Sequence, residues 1–320
     1  MLSNIKRFDL SKYMAYIIFV LILAIFALWL GERFFSVNNI LNITRQTAMI
    51  SIMAMAMTFV IASGNIDLSI GAIAALSSLT MALTLQATGN VALAIAAGLG
   101  VGALIGFTNG WLVASFGIPS FLVTLGVLSA VKGAAMWSTN TAAVPIENEW
   151  FNEVFGLGTI AGVVPVLLVW TLVSTAFGYF VLNYLPFGKK VLATGGNVVA
   201  AKYTGIKVKN ITVWVMVISG VAASLAGMLY AGRMQTARYT FGEGDELNVI
   251  AAVVLGGTAM SGGKGSIIGA LIGSLLMGMI SNGLIIGGFS VSQQMIIRGA
   301  IIVLAVVLGS LGNKRKMDKA

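Results

Sequence analysis

The chain has 320 residues, of which 58% are hydrophobic and only 9% charged, with a net charge of +9 and a mean hydropathy of +0.97. A soluble domain carries roughly 25% charged residues to cover its surface, so this composition excludes a water-soluble globule. The absence of Cys and His removes disulfides, thiol nucleophiles, Cys/His zinc sites, His-ligated haem and imidazole acid–base catalysis.

A bilayer core of about 30 Å needs roughly 20 apolar residues per helix, and such runs recur along the whole chain. The predicted spans are Tyr13–Gly31, Thr47–Ser63, Leu68–Ala87, Val91–Phe116, Ser120–Trp137, Gly162–Tyr184, Ile211–Gly232, Asn248–Gly262, Ser266–Ile286 and Gln293–Gly309. The runs are continuous rather than alternating, which speaks against an outer-membrane barrel. The first run is too long for a cleavable signal and lacks a small-residue cleavage site, so it reads as a permanent span. The fold class is all-α: a polytopic helical membrane protein of about ten transmembrane helices. Residues 1–12 form an N-terminal segment, 13–309 a single transmembrane domain containing a long loop at 185–210, and 310–320 a basic tail.

Orientation follows from the bases, because cytoplasmic loops retain Lys and Arg. With the N-terminus inside, ten spans place Lys6, Arg7, Lys12, Lys189, Lys190, Lys202, Lys207, Lys209, Lys264, Lys314, Arg315, Lys316 and Lys319 in the cytoplasm, 13 of the 19 basic residues. Both termini are then cytoplasmic. The stretch Ser138–Ala161, with Glu147, Glu149 and Glu153 and no base, lies outside, as does Phe241–Leu247 with Glu243, Asp245 and Glu246. Bases that line loops between lipid spans point to a bilayer and not to nucleic acid.

In the fourth span Gly98, Gly102, Gly106 and Gly110 recur every four residues along one helix face, where they let a neighbouring backbone approach closely. Gly269 with Gly273, and Ala223 with Gly227 and Ala231, repeat that spacing. The GxGxxxG within Gly100–Gly106 follows no strand, so it is not a dinucleotide fingerprint. The run MSGGKGS at Met260–Ser266 imitates a phosphate-binding loop, but Thr258 and Gly265 occupy positions where that motif needs Gly and Ser or Thr. It reads as a tight turn. If ATP powers this protein, another chain hydrolyses it.

The longest basic connection, Leu185–Asn210, contains Asn197 as an N-cap before VVAAKYT and Gly205 as a left-handed stop. A short cytoplasmic helix is therefore predicted. Its small apolar residues and Tyr203 suit insertion into a partner's groove; the bland alternative is a helix resting on lipid headgroups.

Three segments, GNIDLSIGAIAALSS, ATGGNVVAAKYTGIKV and GEGDELNVIAAVVLGGTAMSGGKGSIIGALIG, together resemble the ribose-type permease subunits of bacterial ABC importers for monosaccharides. The likeness runs from about Phe35 into the tenth span. One departure is Asn65, where a second glycine is common. The resemblance implies a cytoplasmic-membrane protein that works as a pair of membrane subunits, a homodimer or two close paralogues. It implies an extracytoplasmic sugar-binding protein and a cytoplasmic ABC ATPase that holds the ATP and Mg, with no cofactor on this chain and no catalysis by it. The short helix becomes the ATPase-coupling element, with Gly195, Gly196, Asn197, Val199, Ala200, Ala201, Tyr203 and Gly205. Glu147, Glu149, Arg238 and Glu243, with Arg233 nearby, would face the binding protein.

Asp67 of SGNIDLSIG falls at the cytoplasmic turn between the second and third spans, where its carboxylate need not sit in hydrocarbon. There it caps the third helix by accepting the amide of Ser69 or Ile70, or serves as a gate or contact near the ATPase. A proton relay is disfavoured, since no second acid or histidine lies at that depth. Amide and hydroxyl side chains available to a sugar are Asn109, Thr124, Ser129, Asn282, Gln293 and Gln294, which helix-to-helix hydrogen bonding would also use. Lys132 and Arg298 lie deeper in spans and need partners, Glu246 being a candidate. Other readings are a branched-chain amino acid permease of the same importer superfamily, an ion-coupled secondary transporter and, for want of catalytic side chains, least of all a membrane enzyme.

Overall fold

The structure is a computed structural model and describes residues 10–317; Lys6, Arg7 and Lys319, counted above in the charge asymmetry, lie outside the described residues. The chain runs through α1 (Leu10–Leu30), α2 (Glu32–Phe35), α3 (Val37–Ala62), α4 (Ile70–Thr88), α5 (Val91–Phe116), α6 (Ser120–Thr139), β1 (Val144–Pro145) and α7 (Glu149–Asn152). A π-helical turn follows at Glu153–Leu157. Then come β2 (Thr159–Ile160), β3 (Val164–Pro165), α8 (Val166–Tyr184), α9 (Pro186–Gly196), α10 (Val198–Tyr203), α11 (Val208–Met234), β4 (Thr236–Ala237), α12 (Asp245–Leu255), α13 (Ile267–Ile286) and α14 (Val291–Met317). Seven of these helices, α3, α4, α5, α6, α8, α11 and α13, are long and apolar enough to cross a membrane, and shorter apolar stretches lie at Phe19–Leu30 and Val291–Leu304. The protein is an all-helical, polytopic membrane protein.

Helix ends follow local chemistry. Asn90 accepts the amide of Leu93 at 3.1 Å to start α5, and Gly117, with φ +68°, ends it. Ser266 caps α13 through the amide of Gly269 at 3.0 Å. Each satisfies a donor that the helix itself leaves open.

The two ends of the bundle differ. At one end the last residue of α3 meets α9 and the loop before α13: the amide of Gly263 donates to the carbonyl of Ala62 at 2.9 Å, and a Cβ on Gly195 would collide with that same carbonyl. This is why the MSGGKGS segment is glycine-rich. Gly262 and Gly263 lie at positive φ and pack backbone to backbone on Gly195 and Gly196. At the opposite end β1 pairs antiparallel with β4, Val144 opposite Ala237, β2 and β3 form a second short ribbon, and Gln86 ties α4 to this layer through the Pro145 carbonyl at 3.0 Å.

Helices α3, α4, α11 and α13 are mostly buried, whereas α5, α6 and α8 present Leu104, Phe107, Trp111, Phe121, Leu122, Val173 and Phe177 outward. An apolar outer surface is what lipid requires. The glycine row of α5 is buried against α11: Gly98 meets Met228, Gly102 meets Gly220 and Ser224, Gly106 meets Met216 and Gly110 meets Val213. Gly273 packs likewise on Ala252, and Gly269 on Gly256, between α13 and α12. Small residues let these axes close up where lipid offers no hydrophobic drive between helices.

Two segments depart from straight spans. The expected third span starts late, because Ser63–Ser69 is not helical. The expected eighth, Asn248–Gly262, is the eleven-residue α12, about 16 Å long at 1.5 Å per residue and so about half a bilayer. It follows a loop that folds inward until the carbonyl of Gly242 lies where a Cβ on Gly71 would be.

Candidate functional site

The second of these breaks packs against Gly71 in the first turn of α4, two residues beyond the end of the first break, and polar side chains gather around both. Helix α3 ends with the Ser63 hydroxyl on the carbonyl of Val60 at 2.7 Å, and Gly64 at φ +86° turns the chain away. The extended residues that follow have no helical partners. Side chains of α6 supply them: Ile66 N donates to Ser120 Oγ at 2.9 Å and Leu68 N to Thr124 Oγ1 at 3.0 Å. Such backbone survives in a membrane interior only when its donors are answered within the protein.

Asp67 sits in this segment, and its side chain is fully buried among other residues. Oδ1 accepts from Ser69 N at 2.9 Å and Ser69 Oγ at 2.6 Å, and Oδ2 accepts from Ser219 Oγ at 2.7 Å. Ser219 lies about 16 Å along α11 from its first residue. The carboxylate thus joins the start of α4 to the interior of α11, in addition to serving the amide of Ser69. Asn109, on α5, completes the cluster by donating to Ser69 Oγ at 2.9 Å.

The second break carries charge. Glu243 accepts from Lys132 Nζ of α6 at 2.5 Å, both side chains partly exposed. Lys132 lies about 18 Å along α6 from Ser120. Around the pair, Tyr239, Phe241 and Glu246 line a cavity of about 130 Å3, floored by Gly242 and Gly244. Behind it, Phe241 stacks on Tyr230 with ring centroids 5.4 Å apart, and the Tyr230 hydroxyl donates to Asp245 Oδ2 at 2.7 Å. Glu246 was one candidate partner for Lys132 or Arg298; the ion pair of Lys132 forms with Glu243, and Glu246 lies beside it in the same cavity.

At the Gly195 end, Asn197 Oδ1 accepts from Ala200 N at 3.0 Å and starts α10, and Gly205 lies at φ +83° after its last turn. The helix displays Val198, Val199 and Tyr203, the last 89% exposed. Ala200 is exposed but Ala201 is buried, so these neighbours on one short helix face opposite environments. Gly195 is packed against Ala62 and is not part of the displayed surface, whereas Gly196 is exposed.

The other polar residues singled out in the sequence are scattered. Asn109 and Thr124 belong to the Asp67 break, and Ser129 is exposed on α6 with its hydroxyl on the carbonyl of Leu125 at 3.4 Å. Asn282 exchanges hydrogen bonds with Asn39 at 3.0 and 2.9 Å, joining α13 to α3. Gln293 accepts the amide of Ser290 at 2.9 Å before α14. Gln294 is buried, donates to the carbonyl of Phe289 at 2.9 Å and accepts from Arg298 at 3.2 Å, which gives that base a partner. Glu147, Glu149 and Arg238 are exposed at the β1–β4 end, apart from Glu243, which faces Lys132. Arg233 reaches the carbonyl of Arg45 at 3.4 Å. Sequence reasoning missed Ser219, Ser120, Tyr239 and Phe241. The aromatic residues of YTFGEGDE, alternating just ahead of three acids, carried a signal; the two serines carried none.

Residues 39–306 match the family described as branched-chain amino acid transport system / permease component. Among curated proteins, the chain is 38% identical to the ribose import permease protein RbsC of Escherichia coli (strain K12) over 295 residues, 91% of this chain and 92% of that one. It is 35% identical to the L-arabinose ABC transporter permease protein AraH of Azospirillum brasilense, over 91% of this chain and 85% of that one. With the fructose import permease protein FrcC of Rhizobium meliloti it shares 34% identity over 96% of this chain and 88% of that one. No solved structure gives a significant match.

Proposed function

Because the chain belongs to the permease family of branched-chain amino acid transport systems and is a multi-pass membrane permease, we propose that it is the sugar-translocating subunit of an ATP-driven importer. The observation that carries the substrate class is the end-to-end similarity to ribose, L-arabinose and fructose permeases. The chain crosses the membrane as one domain, residues 13–309, in ten segments of which α12 spans half. The Gly195 end faces the cytoplasm, because Lys189, Lys190, Lys202, Lys207, Lys209 and Lys264 cluster in its loops and helices. Both termini, 1–12 and 310–320, lie on that side, and Glu147, Glu149, Glu153 and Arg238 lie outside, toward a sugar-binding protein.

Helix α10 is the contact with a separate ATPase that binds ATP and Mg. Its exposed Val198, Val199 and Tyr203 are costly to leave in water and suited to a partner's groove. A second permease subunit, identical or closely related, covers the exposed face of α6, where Ser129 and Lys132 would otherwise meet lipid. The sugar passes along that face as the pair rocks between two packings. Ser129 lies on this path; Asn109, Thr124, Asn282, Gln293 and Gln294 act there through the helices they hold in place.

The test is uptake into proteoliposomes holding the permease with its ATPase and binding protein. Radiolabelled D-ribose, L-arabinose or D-fructose is expected to enter only with ATP. The family description favours a second reading, a branched-chain amino acid, and leucine uptake without sugar uptake establishes it. Uptake driven by an ion gradient without the ATPase refutes both.

A further inference from the structure

We propose that the cup between α6 and the inward-folded loop, made by Lys132, Glu243, Glu246, Tyr239 and Phe241, is a binding station for a neutral polyhydroxylated solute within the permease. The proposal rests on the sugar-transport reading above and names the side chains that the sugar meets.

The first ground is location. The Lys132–Glu243 pair is 38% and 55% exposed, yet it stands well within the length of a membrane-spanning helix. A charged pair at that depth faces water or another protein, not lipid, and on the path between paired subunits proposed above the cup opens onto the hydrated passage. The second is size. A cavity of about 130 Å3, open on one side, seats one face of a single monosaccharide ring with the rest projecting into the passage, and is too small for a chain of them.

The third ground is chemistry. A sugar ring presents hydroxyls that both donate and accept around its rim and C–H faces above and below. Here carboxylates at Glu243 and Glu246 accept, the Lys132 ammonium donates, and charge-assisted hydrogen bonds of this kind are stronger than neutral ones. The rings of Tyr239 and Phe241 supply flat apolar walls, and Phe241 is held by its stack on Tyr230. An anion would meet two carboxylates against one ammonium. A neutral polyol can insert between Lys132 and Glu243 without leaving either charge unanswered. Gly71 and Gly242 meet too closely for a side chain on either, so the loop that carries three of the five residues is seated on α4 instead of hanging free.

The assembled transporter, with ATPase and binding protein, provides the test. D-ribose, L-arabinose and D-fructose are the probes. Glu246→Gln and Lys132→Met are expected to lower sugar uptake about tenfold or more, the weight of one charged hydrogen bond, Tyr239→Leu is expected to lower it severalfold through loss of a flat wall, and all three are expected to change the ratio among the three sugars. Stimulation of the ATPase by the loaded binding protein is expected to persist, which separates loss of the station from loss of fold or assembly. The second measurement uses the absence of native cysteine. In a Leu128→Cys protein the thiol lines the cup, and its reaction with a small water-soluble reagent is expected to slow when the transported sugar is present in excess. A Ser138→Cys control is expected not to respond. Wild-type sugar uptake with unchanged rates and ratios in all three variants, or an unprotected thiol in a transporting Leu128→Cys protein, overturns the station and leaves the transport reading standing. Wild-type protein that moves leucine and no sugar overturns both.

Discussion

Replacement of Asp67 tests whether this buried carboxylate is held for its hydrogen bonds or for its charge. Three donors converge on it: the amide and hydroxyl of Ser69 and the hydroxyl of Ser219. In Asp67→Asn the side-chain oxygen keeps both Ser69 donors. The amide nitrogen replaces Oδ2, and the Ser219 hydroxyl rotates to accept from it, since a hydroxyl has lone pairs to offer. All three bonds survive and a buried charge is removed, so stability is expected within about 1 kcal/mol of wild type. In Asp67→Ala the Ser69 amide is orphaned at a cost of about 1–3 kcal/mol, and the vacated space adds about 1–2 kcal/mol. The sum, roughly 2–5 kcal/mol, corresponds to a fall in unfolding midpoint of roughly 5–15 °C. Tryptophan fluorescence of nanodisc-embedded protein during a thermal ramp reads it, with six tryptophans as reporters. Adding Ser219→Ala to each variant is expected to give a coupling of about 1 kcal/mol with Asp67 and almost none in the Ala background. An Asn variant as unstable as the Ala variant refutes the hydrogen-bond account and assigns the role to the negative charge.

Other substitutions probe the remaining contacts. Gly102→Ala drives a methyl into Gly220 and Ser224 and is expected to destabilise by about 1–3 kcal/mol, whereas Gly100→Ala, with nothing within 4 Å, is expected to be neutral or up to about 1 kcal/mol stabilising; equal effects in the same thermal ramp refute the close α5–α11 seam. On α10, Ala200→Asp is expected to fold normally but to lose co-purification with the ATPase by about 2–4 kcal/mol of binding, while Ala201→Arg, at a buried position, is expected to lower the yield of folded protein itself. Normal ATPase assembly of a well-folded Ala200→Asp protein counts against α10 as the contact. Finally, a cysteine at Asn148 is expected to react with an impermeant reagent in intact cells and one at Lys207 only after the membrane is opened; equal labelling overturns the assigned orientation.

Legibility in the sequence tracked how local the cause was. The limits of α5, Val91 and Phe116, coincide with the predicted span because Asn90 and Gly117 are adjacent signals of start and stop. Helix α10 was likewise announced by Asn197 and Gly205. The four-residue glycine spacing marked the α5 face that meets α11, although it could not say which helix came to it. What the sequence hid was long-range: Ser219 is 152 residues from Asp67 and Glu243 is 111 from Lys132. The eighth span was overestimated for the same reason, since an apolar run reads alike whether it crosses a bilayer or enters only half of it. The contact of Gly242 with Gly71 decides between these, and hydropathy does not register it.

The two breaks are connected through α6, which constrains how this permease moves. One face of α6 bonds the first break through Ser120 and Thr124, and Lys132, two turns further along, bonds the second through Glu243. The first pair of bonds is to backbone amides with no helical alternative, so releasing them leaves orphan donors in a low-dielectric interior at about 1–3 kcal/mol each. The third is a partly exposed ion pair worth about 1 kcal/mol or less. A displacement of α6 relative to the core therefore breaks the Lys132 contact first and carries the Ser63–Ser69 segment with it, and Asp67, which lies between Ile66 and Leu68 and is bonded to Ser219, resists from within that segment. The weak bond stands where a solute can compete for it, and the strong ones stand where the helix has to remain attached.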